Sequence, residues 1–583
     1  MLLLHASMFQ ATASRSAGIL YEVWHCNAAT AMAQVKAKGY QLLTTERVIQ
    51  SNGQHTLDDV FPAPGRPYAS ADVYNVEPSS GFYCLCSKRT ANDTLPDCPM
   101  ASLVARKHAA MLSSAGFDYI AVDVTNWPQV NSKTDVAVLR PLENLFDEWI
   151  ALRRQGLTTP AIAVWVDSPV ASYTGSQTTW QWMLDHIYNN ATRAPLIWRM
   201  PSAQRSQKTF FLPDNGSYNA SVQALIESNG GRGDIHTVKM WALFGKSSYA
   251  RGSWGFFSPC TSPSAPHGGY TTSMVGTGGP CNQYESLRSS AGGAIEEVTA
   301  SGGYMLSQCA LPFAAPGHMR GLTLQRTFER VLEVGAPNLF MSSFNEHIGG
   351  RQKAAYHSNV AINMGLPNDP QRESVWVDTY AAEFSRDIEP TVEGGSRVWE
   401  VASSCVQLYK AGLTCTAASA AASACCTTAD KHVYANAWSL VDSTSGDAIV
   451  TSSAEEMKQL LTKPGWSQRC HSITGPSVFC VNTTIRDGRD GPFMLFNDST
   501  AITNPRPLNR CVTGGGAPAH FLSADTRCEG LGTIDRLIGH MASTPGGDTL
   551  RALRRCDGAS PGTYTHALDL DCDVTQPVLG YVR

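Results

Sequence analysis

The chain has 583 residues, of which 43% are hydrophobic and 16% are charged, and its formal net charge is −4. This length predicts two or three domains. The charge balance gives no reason to expect binding to nucleic acid or to an anionic membrane surface. No apolar run reaches the roughly 18 residues that a transmembrane helix requires.

Short apolar segments recur through residues 1–400, and helix-like segments such as 101–115, 142–155 and 221–228 lie between several of them. The predicted strands are 19–24, 40–44, 119–124, 162–166, 196–200, 238–243, 304–307 and 339–344. This alternation predicts an α/β fold, a (β/α)8 TIM-type barrel. A doubly wound open sheet is the alternative, but it would need a glycine-rich phosphate loop after an early strand, and none stands out.

Polar and aromatic residues stand at the ends of most predicted strands. In a barrel these ends meet at one face, where the catalytic groups lie. The candidates that catalyse are therefore Asp123, Asp167 and Glu346. The candidates that bind substrate are Glu22, Trp24, His25, Asn126, Trp127, Trp165, Arg199, Lys239, Trp241, Asn345 and His347. Indole rings stack on sugars, and two carboxyl groups hydrolyse glycosidic bonds, so this set favours a carbohydrate substrate. For any single tryptophan, ordinary core packing is the alternative interpretation.

The segment Ser-Phe-Asn-Glu at 343–346, followed by Asp-Ile-Glu-Pro at 387–390, resembles glycoside hydrolase family 99 and its relatives. Those relatives include the family 71 glucanases and the WbsX-like proteins described as glycosyltransferases. The resemblance extends over roughly residues 18–395 and is concentrated in 320–390, with a weaker match at 115–123. It implies a barrel hydrolase in which Glu346 is the acid/base.

The chain departs from the family pattern directly after this glutamate. The family has a tryptophan next and a second catalytic glutamate three residues on, where this chain has His347 and Gly349. The second carboxylate must then come from elsewhere, and the candidates are Asp123, Asp167, Asp387 and Glu389. If no partner exists, the chain is a noncatalytic glycan-binding or extracellular structural protein. A WbsX-like glycosyltransferase is a third hypothesis. An enzyme that uses a nucleotide sugar would need an Asp-x-Asp element, and Asp569-Leu-Asp571 has this spacing but lies inside a repeat.

A change in composition separates the barrel from the rest of the chain. Residues 401–430 are rich in Cys and Ala and form a predicted connector, and 431–583 form a predicted β-rich repeat domain. Repeats near 508–541 and 553–583 match with a period of about 45 residues, from Cys511 to Cys556. Each unit is expected to hold one disulfide. The units resemble Cys-containing His-Phe repeat modules of secreted microbial proteins, and they predict either a binding module or an appendage without a ligand.

Seventeen cysteines and six Asn-x-Ser/Thr sequons predict a secreted, disulfide-bonded glycoprotein. The sequons are Asn92, Asn190, Asn215, Asn219, Asn482 and Asn497. Zinc is the alternative use of the cysteines, but Cys84-Leu-Cys86 and Cys425-Cys426 lack the usual ligand spacing. We predict neither a metal nor a cofactor. The expected partner is a glycan, with a possible association with extracellular matrix or cell wall, although residues 1–5 are too short for a signal segment.

Overall fold

The structure is a computed structural model. It describes residues 15–26, 44, 74, 76–86, 98, 100–166, 177–201, 207–213, 235–241, 254–255, 287–289, 295–303, 305–306, 309–310, 318–348, 351–352, 375–376, 382–417, 423–426, 434–445, 447–453, 456, 459–460, 462–468, 471–472, 478–479, 493–496, 504–513, 520–544, 551–557, 564–568 and 578–582. Several predictions fall on other residues. These are most of strand 40–44, helix 221–228, Asp167, Gly349, Asp569, Asp571, Asn92, Asn215, Asn219, Asn482 and Asn497.

The N-terminal part contains one large sheet with strand order β6-β5-β4-β3-β2-β1-β11-β8-β7. Its strands are β1 (Ser16–Tyr21), β2 (Tyr119–Val124), β3 (Ala161–Val166), β4 (Lys208–Pro213), β5 (Ile235–Trp241), β6 (Trp254–Gly255), β7 (Leu287–Ser289), β8 (Ile295–Ala300) and β11 (Asn338–Met341). Seven pairings are parallel, and only β7 pairs antiparallel, with β8.

The strand order is the one that an α/β barrel requires. Neighbouring strands follow chain order from β1 to β6, and the late strand β11 returns to pair with β1, Ser16 opposite Asn338. This return distinguishes a curling sheet from a doubly wound one, in which the first strand lies inside and the order reverses. The described strands thus form a curled half-barrel sheet, which confirms the α/β class. Within these strands no pairing joins β6 to β8.

Two predicted strands are wrong. Residues 196–200 contain the end of a 3-10 turn, Ala194–Leu196, and then a single bridge from Ile197 to Ile162. A proline in that turn fixes a helical φ and removes an N–H donor, and β4 takes the place in the sheet. Residues 304–307 contain β9 (Met305–Leu306), which pairs only with β10 (Cys309–Ala310), outside the large sheet. Its place belongs to β8, whose two glutamates hid the strand from a search for apolar runs.

Helices cover one face of the sheet. They are α1 (Ala101–Ala115), α2 (Arg140–Arg154), α3 (Thr179–Met183), α4 (Leu322–Val334) and α5 (Arg397–Ala411). A short helical turn (Ser132–Thr134) and a π-turn (Asp135–Leu139) precede α2, and a second π-turn (Leu184–Tyr188) follows α3. Alternate strand residues such as Ile19, Tyr21 and Val122 share a core cluster with helix residues such as Val104 and Val401. None of the helices that the structure describes is long and apolar enough to cross a membrane.

The opposite face of the sheet carries a second apolar cluster. It consists of Leu20, Tyr119, Ala121, Ala163, Trp165, Trp198, Met200, Phe211, Val238, Met240, Trp254 and Phe340. Side chains alternate between faces along a strand, so Glu22 follows Leu20, and Asp123 follows Ala121, on this inner face. The aromatic cluster therefore fills the interior, and the two carboxylates lie at its carboxyl end.

Gly18 is required for this packing because the ring of Tyr119 crosses β1 over it. A Cβ atom at position 18 would lie 2.0 Å from Cζ of Tyr119, whose ring stacks on Trp198 at 3.7 Å between centroids. We expect Gly18→Ala to lower the free energy of unfolding by about 3 kcal/mol, as overpacking does. Denaturant unfolding measures this change. In a Tyr119→Ala background the added methyl group should cost little, and an equal cost there would contradict the explanation.

The C-terminal part is antiparallel throughout its described strands. Its ten-stranded sheet contains β14 (Tyr434–Asp442), β15 (Ala448–Thr451), β16 (Trp466–Gln468), β19 (Phe493–Phe496), β20 (Pro505–Thr513), β21 (His520–Ser523), β22 (Gly532–Ala542), β23 (Arg551–Asp557), β24 (Tyr564–Leu568) and β25 (Val578–Val582). Short pairs are formed by β12 (Arg351–Gln352) with β13 (Val375–Trp376) and by β17 (His471–Ser472) with β18 (Val478–Phe479). The disulfide Cys511–Cys528 joins β20 to the turn after β21.

The predicted connector begins inside a helix of the first part. Helix α5 contributes Val401 and Cys405 to the helix-side core, and the disulfides Cys405–Cys425 and Cys415–Cys426 fold the following segment back onto it. Lys410 Nζ donates to Asp118 Oδ2 at 2.5 Å, just before β2. The start of the connector is thereby fastened to the barrel.

Candidate active site

Three carboxylates meet at the carboxyl ends of adjacent strands β11, β1 and β2. Glu22 directly follows β1, and because Tyr21 pairs with Val122, its neighbour across the sheet is Asp123. On the other side, the N–H of Phe344 donates to the carbonyl of Leu20 at 2.9 Å. This bond holds the turn that carries Glu346 beside the end of β1.

Glu22 is a buried carboxyl group. The residue is fully buried, and neither carboxyl oxygen makes a hydrogen bond to any residue that the structure describes. Burial, and then the negative charges of Asp123 and Glu346, raise the pKa of Glu22 well above its usual range, against a smaller lowering by Arg386. These surroundings favour the protonated form of Glu22, which can donate a proton.

Glu346 has the opposite surroundings. Arg386 donates through Nη2 to Glu346 Oε2 and through Nη1 to the carbonyl of Ser342, at 3.1 Å. A guanidinium beside a carboxylate favours its charged form. The residue is 9% exposed, more than Glu22. The site thus combines a buried carboxyl group whose pKa is raised with a carboxylate that an arginine holds.

Asp387 braces the turn that carries Glu346. Its Oδ1 accepts the Glu346 N–H at 2.6 Å and the hydroxyl of Ser343, while its Oδ2 accepts the hydroxyl of Ser385 at 2.6 Å. These bonds satisfy a tight turn at which polar backbone groups are buried. They fix the position from which the Glu346 side chain leaves the backbone.

Glu389 lies on the helix side of the strand ends. Its carboxylate accepts bonds from Tyr83 Oη at 2.8 Å, His347 Nε2 at 2.9 Å and His108 Nε2 at 3.0 Å. Burial alone would raise the pKa of Glu389, but His108 and His347 outweigh it and hold that pKa well below the usual range. Burial lowers and Glu389 raises the pKa of His347, with a net increase. Surrounded in this way, Glu389 does not share the inner face with Glu22.

Asn345, in the turn after β11, is bonded to the end of β1. Its Oδ1 accepts the Glu22 N–H at 2.8 Å, and its Nδ2 donates to the Glu22 carbonyl at 3.0 Å. His25 Nε2 donates to the Asn345 carbonyl at 3.0 Å. Burial, and then His347, lower the pKa of His25 to about 3, so this histidine is neutral. Asn345 and His25 therefore bond to backbone groups at the strand ends.

The other sequence candidates lie in different surroundings. Trp165 is opposite Asp123 on the inner face and 2% exposed, whereas Trp24 and Trp127 are half-buried against the helix-side core. Asn126 and Arg199 are exposed, and Arg199 follows the bridge to Ile162 near the start of β3, away from the strand ends. The backbones of Lys239 and Trp241 lie in β5, but their side chains are outside the described atoms.

Sequence reasoning missed Tyr83, His108 and Arg386. Each precedes or follows a recognised motif without any pattern of its own, so only the folded chain brings it to the site. Of the sequons, the described Asn190 is half-buried, and its Oδ1 accepts the N–H of Thr192 at 2.9 Å. This sequon therefore lies in a turn that its own side chain stabilises.

Among the described side chains, two groups of cysteines lie close enough together to hold a metal ion. The first group is Cys26, Cys84, Cys86 and Cys98, and the second is Cys415, Cys425 and Cys426. All of them are paired in disulfides, Cys26–Cys86 and Cys84–Cys98 in the first group. Zinc ligation requires thiolates, so the pairing makes both groups structural. The first group ties the chain just after His25 to the segment that contains Tyr83.

No model of a protein family matches the chain, and no curated protein matches it. Among solved structures, the chain is similar to a family 99 endo-alpha-mannosidase from Bacteroides thetaiotaomicron, at 14% identity and a TM-score of 0.33, over 58% of this chain and 85% of that one. The structure of that enzyme in complex with bis-tris-propane matches at 14% identity and a TM-score of 0.35, over 68% and 98%.

Proposed function

We propose that the chain is a glycoside hydrolase that cleaves a polysaccharide or glycan, with Glu22 and Glu346 as its two carboxyl groups. One observation carries this proposal: adjacent strand ends present Glu22, a fully buried carboxyl group, and Glu346, a carboxylate paired with Arg386. Glycosidases need this division, in which one group gives a proton and the other acts as base or nucleophile. In this proposal the partner of Glu346 is Glu22 instead of the candidates Asp123, Asp387 and Glu389, while the candidate Asp167 lies outside the described residues.

In the proposed reaction, Glu22 donates its proton to the glycosidic oxygen as the bond to the anomeric carbon breaks. Glu346 either attacks that carbon or removes a proton from the attacking water. Asp123, whose Oδ1 accepts the Thr125 N–H at 2.7 Å, stays beside Glu22 and favours its protonated state. Trp165, opposite Asp123, forms the apolar wall at this level of the interior.

The wider setting belongs to the same proposal. The curled sheet is completed as an eight-stranded barrel, and the C-terminal β repeats act as an appendage that binds the glycan. Five described disulfides favour an oxidising compartment, and hence secretion. The sequons would then carry glycans, and matrix or cell-wall polymers would be the partners.

A noncatalytic glycan-binding protein is the second candidate function. The ion pair between Arg386 and Glu346 favours it, because a guanidinium that occupies one carboxylate oxygen weakens a nucleophile. Binding would use the same inner face without bond cleavage. A WbsX-like glycosyltransferase remains the third hypothesis, and the Asp569 and Asp571 on which it depended lie outside the described residues.

A panel of purified polysaccharides and reduced N-glycans distinguishes these functions. The full chain is incubated with each polymer, and new reducing ends are quantified beside a Glu22→Gln/Glu346→Gln double variant. We expect release by the native chain alone, and proton NMR of the first product then assigns retention or inversion. Equal binding by both proteins without release from any polymer would support the noncatalytic function instead.

A further inference from the structure

Glu389 is a buried carboxylate that the proposed reaction does not use. Its side chain is 2% exposed, and three side chains donate to it: Tyr83, His108 and His347. Three charge-assisted bonds to one buried carboxylate define its position closely. Two of these donors begin chains of contacts that end at Glu22 and Glu346.

The first chain of contacts leads to Glu22. Tyr83 gives its hydroxyl proton to Glu389, so its oxygen accepts the bond from Asn345 Nδ2, at 3.0 Å. The same amide nitrogen donates to the Glu22 carbonyl, and Asn345 Oδ1 accepts the Glu22 N–H. Asn345 thus acts as a strand partner for the residue beyond β1. The bond to Tyr83 fixes the orientation of the Asn345 side-chain amide. Because Glu389 holds Tyr83, it indirectly orients the backbone of Glu22.

The second chain of contacts leads to Glu346. His347 Nε2 donates to Glu389, and its Nδ1 lies 3.7 Å from Asp387 Oδ2. Asp387 in turn accepts the N–H of Glu346. The peptide that carries Glu346 is therefore held on one side by Asp387 and on the other by the ring of His347.

A third contact joins Glu389 to the sheet and to helix α1. The hydroxyl of Tyr21 and His108 Nδ1 are 2.8 Å apart, and His108 Nε2 bonds to Glu389. With the tyrosine as donor, His108 accepts through Nδ1 and donates to Glu389 through Nε2. His108 of α1 and Tyr21 of β1 are both fully buried. Glu389 is thereby connected to the rigid part of the fold.

We infer that Glu389 is a positioning residue that sets the separation of Glu22 and Glu346, through Tyr83 and Asn345 on one side and His347 and Asp387 on the other. Its consequence for turnover rests on the proposed function, while its effect on the two backbones does not. A shift of about 1 Å in such groups costs on the order of a hundredfold in rate.

The titratable and charged groups around Glu389 and its donors are His25, Tyr21, Tyr74, Tyr83, His108, His347, Arg386 and Asp387. Burial raises the pKa of Glu22, and so do the charges of Asp123, Glu346 and Asp387. Tyr83→Phe removes a hydroxyl group and no charge, so we expect it to affect the titration of Glu22 through position. Titration of Glu22 is for this reason a suitable readout.

The test is a double-mutant cycle followed over pH. Glu389→Gln and the milder Tyr83→Phe are each made with and without Glu22→Gln, and the free energy of unfolding is measured from pH 4 to 10. In the native background, Glu22→Gln should raise the free energy of unfolding, and this increase should grow with pH until Glu22 ionises in the folded protein. The pH at which the increase stops growing is the end point. We expect Glu389→Gln and Tyr83→Phe to lower that end point by about one pH unit or more, because a displaced Glu22 becomes hydrated.

Glu143→Gln is the matched control. Glu143 is also buried and paired, with Arg193 at 2.7 Å, but it lies on α2. Its loss should leave the end point unchanged. An unchanged end point in Tyr83→Phe, or an equal shift in Glu143→Gln, overturns the inference, and Tyr83→Phe decides alone if Glu389→Gln does not fold.

Turnover separates this inference from the proposed function. If the native chain hydrolyses a glycan, Tyr83→Phe should lower kcat about tenfold or more with KM nearly unchanged, as misplacement of reacting groups does. If the native chain hydrolyses nothing but the end point still moves, the positioning role holds and the proposed function fails. A normal kcat in Tyr83→Phe together with an unmoved end point removes the positioning role.

Discussion

Glu346→Gln is expected to lower kcat by about a thousandfold or more on the glycan that the native chain cleaves. The amide keeps the size of the side chain, and its oxygen still accepts a bond from Arg386, but it has neither the charge nor the basicity to act on the anomeric carbon or on water. Progress curves for the release of reducing ends measure the loss. Thermal unfolding of the variant checks that the fold persists.

Two comparisons make this result specific. Glu333→Gln changes an exposed glutamate of α4 and should leave kcat unaltered. Azide added to a Glu346→Ala variant should restore part of the rate if Glu346 is the nucleophile, because a small anion fills the vacated position. Native turnover in Glu346→Gln would remove this residue from the mechanism.

Glu22→Gln is expected to abolish turnover of natural glycans and to stabilise the protein above about pH 5. The raised pKa means that the unfolded state releases the Glu22 proton at lower pH than the folded state does. The stability that Glu22 provides is therefore complete below its unfolded pKa and is lost as pH rises toward its folded pKa. The loss is about 1.4 kcal/mol per pH unit across that interval, and the glutamine variant escapes it.

Substrates with different leaving groups separate the acid from the base. An aryl glycoside whose phenol is strongly acidic needs no proton from Glu22, so Glu22→Gln should keep a much larger share of activity on it than Glu346→Gln does. The native kcat/KM should fall as pH rises through the pKa of Glu22. Equal loss on activated and natural substrates, or no gain in stability at alkaline pH, would contradict a proton-donor role for Glu22.

The prediction from sequence was most accurate where local pattern and environment agree. β2, β3 and β11 are apolar runs buried on both faces, so a search for such runs locates them within a few residues. β4 and β8 were missed because Lys208 and two glutamates interrupt their apolar character. The predicted segment 196–200 is apolar too, but its residues fill the interior as a turn and a single bridge.

The roles of the acidic residues were far less predictable. Sequence reasoning grouped Glu22 with the substrate-binding residues and Glu389 with the catalytic ones, since both stand at strand ends or motif positions. Their surroundings differ: among the described residues, the carboxyl group of Glu22 has no hydrogen-bond partner, and that of Glu389 has three. A pKa depends on burial and on charges from distant segments, which no local motif contains.

The sequence by itself determined the class of fold and the end of the sheet where chemistry is expected, because hydrophobic period and strand-end polarity are local properties. It also singled out Glu346 as a candidate. Only the tertiary structure shows which acids lie near it, since β1 and β11, which pair as neighbours, are separated by more than 300 residues of chain. The pairings of β1 with β11 and β2 bring Glu22 beside Glu346 and Asp123, where burial and mutual repulsion raise the pKa of Glu22.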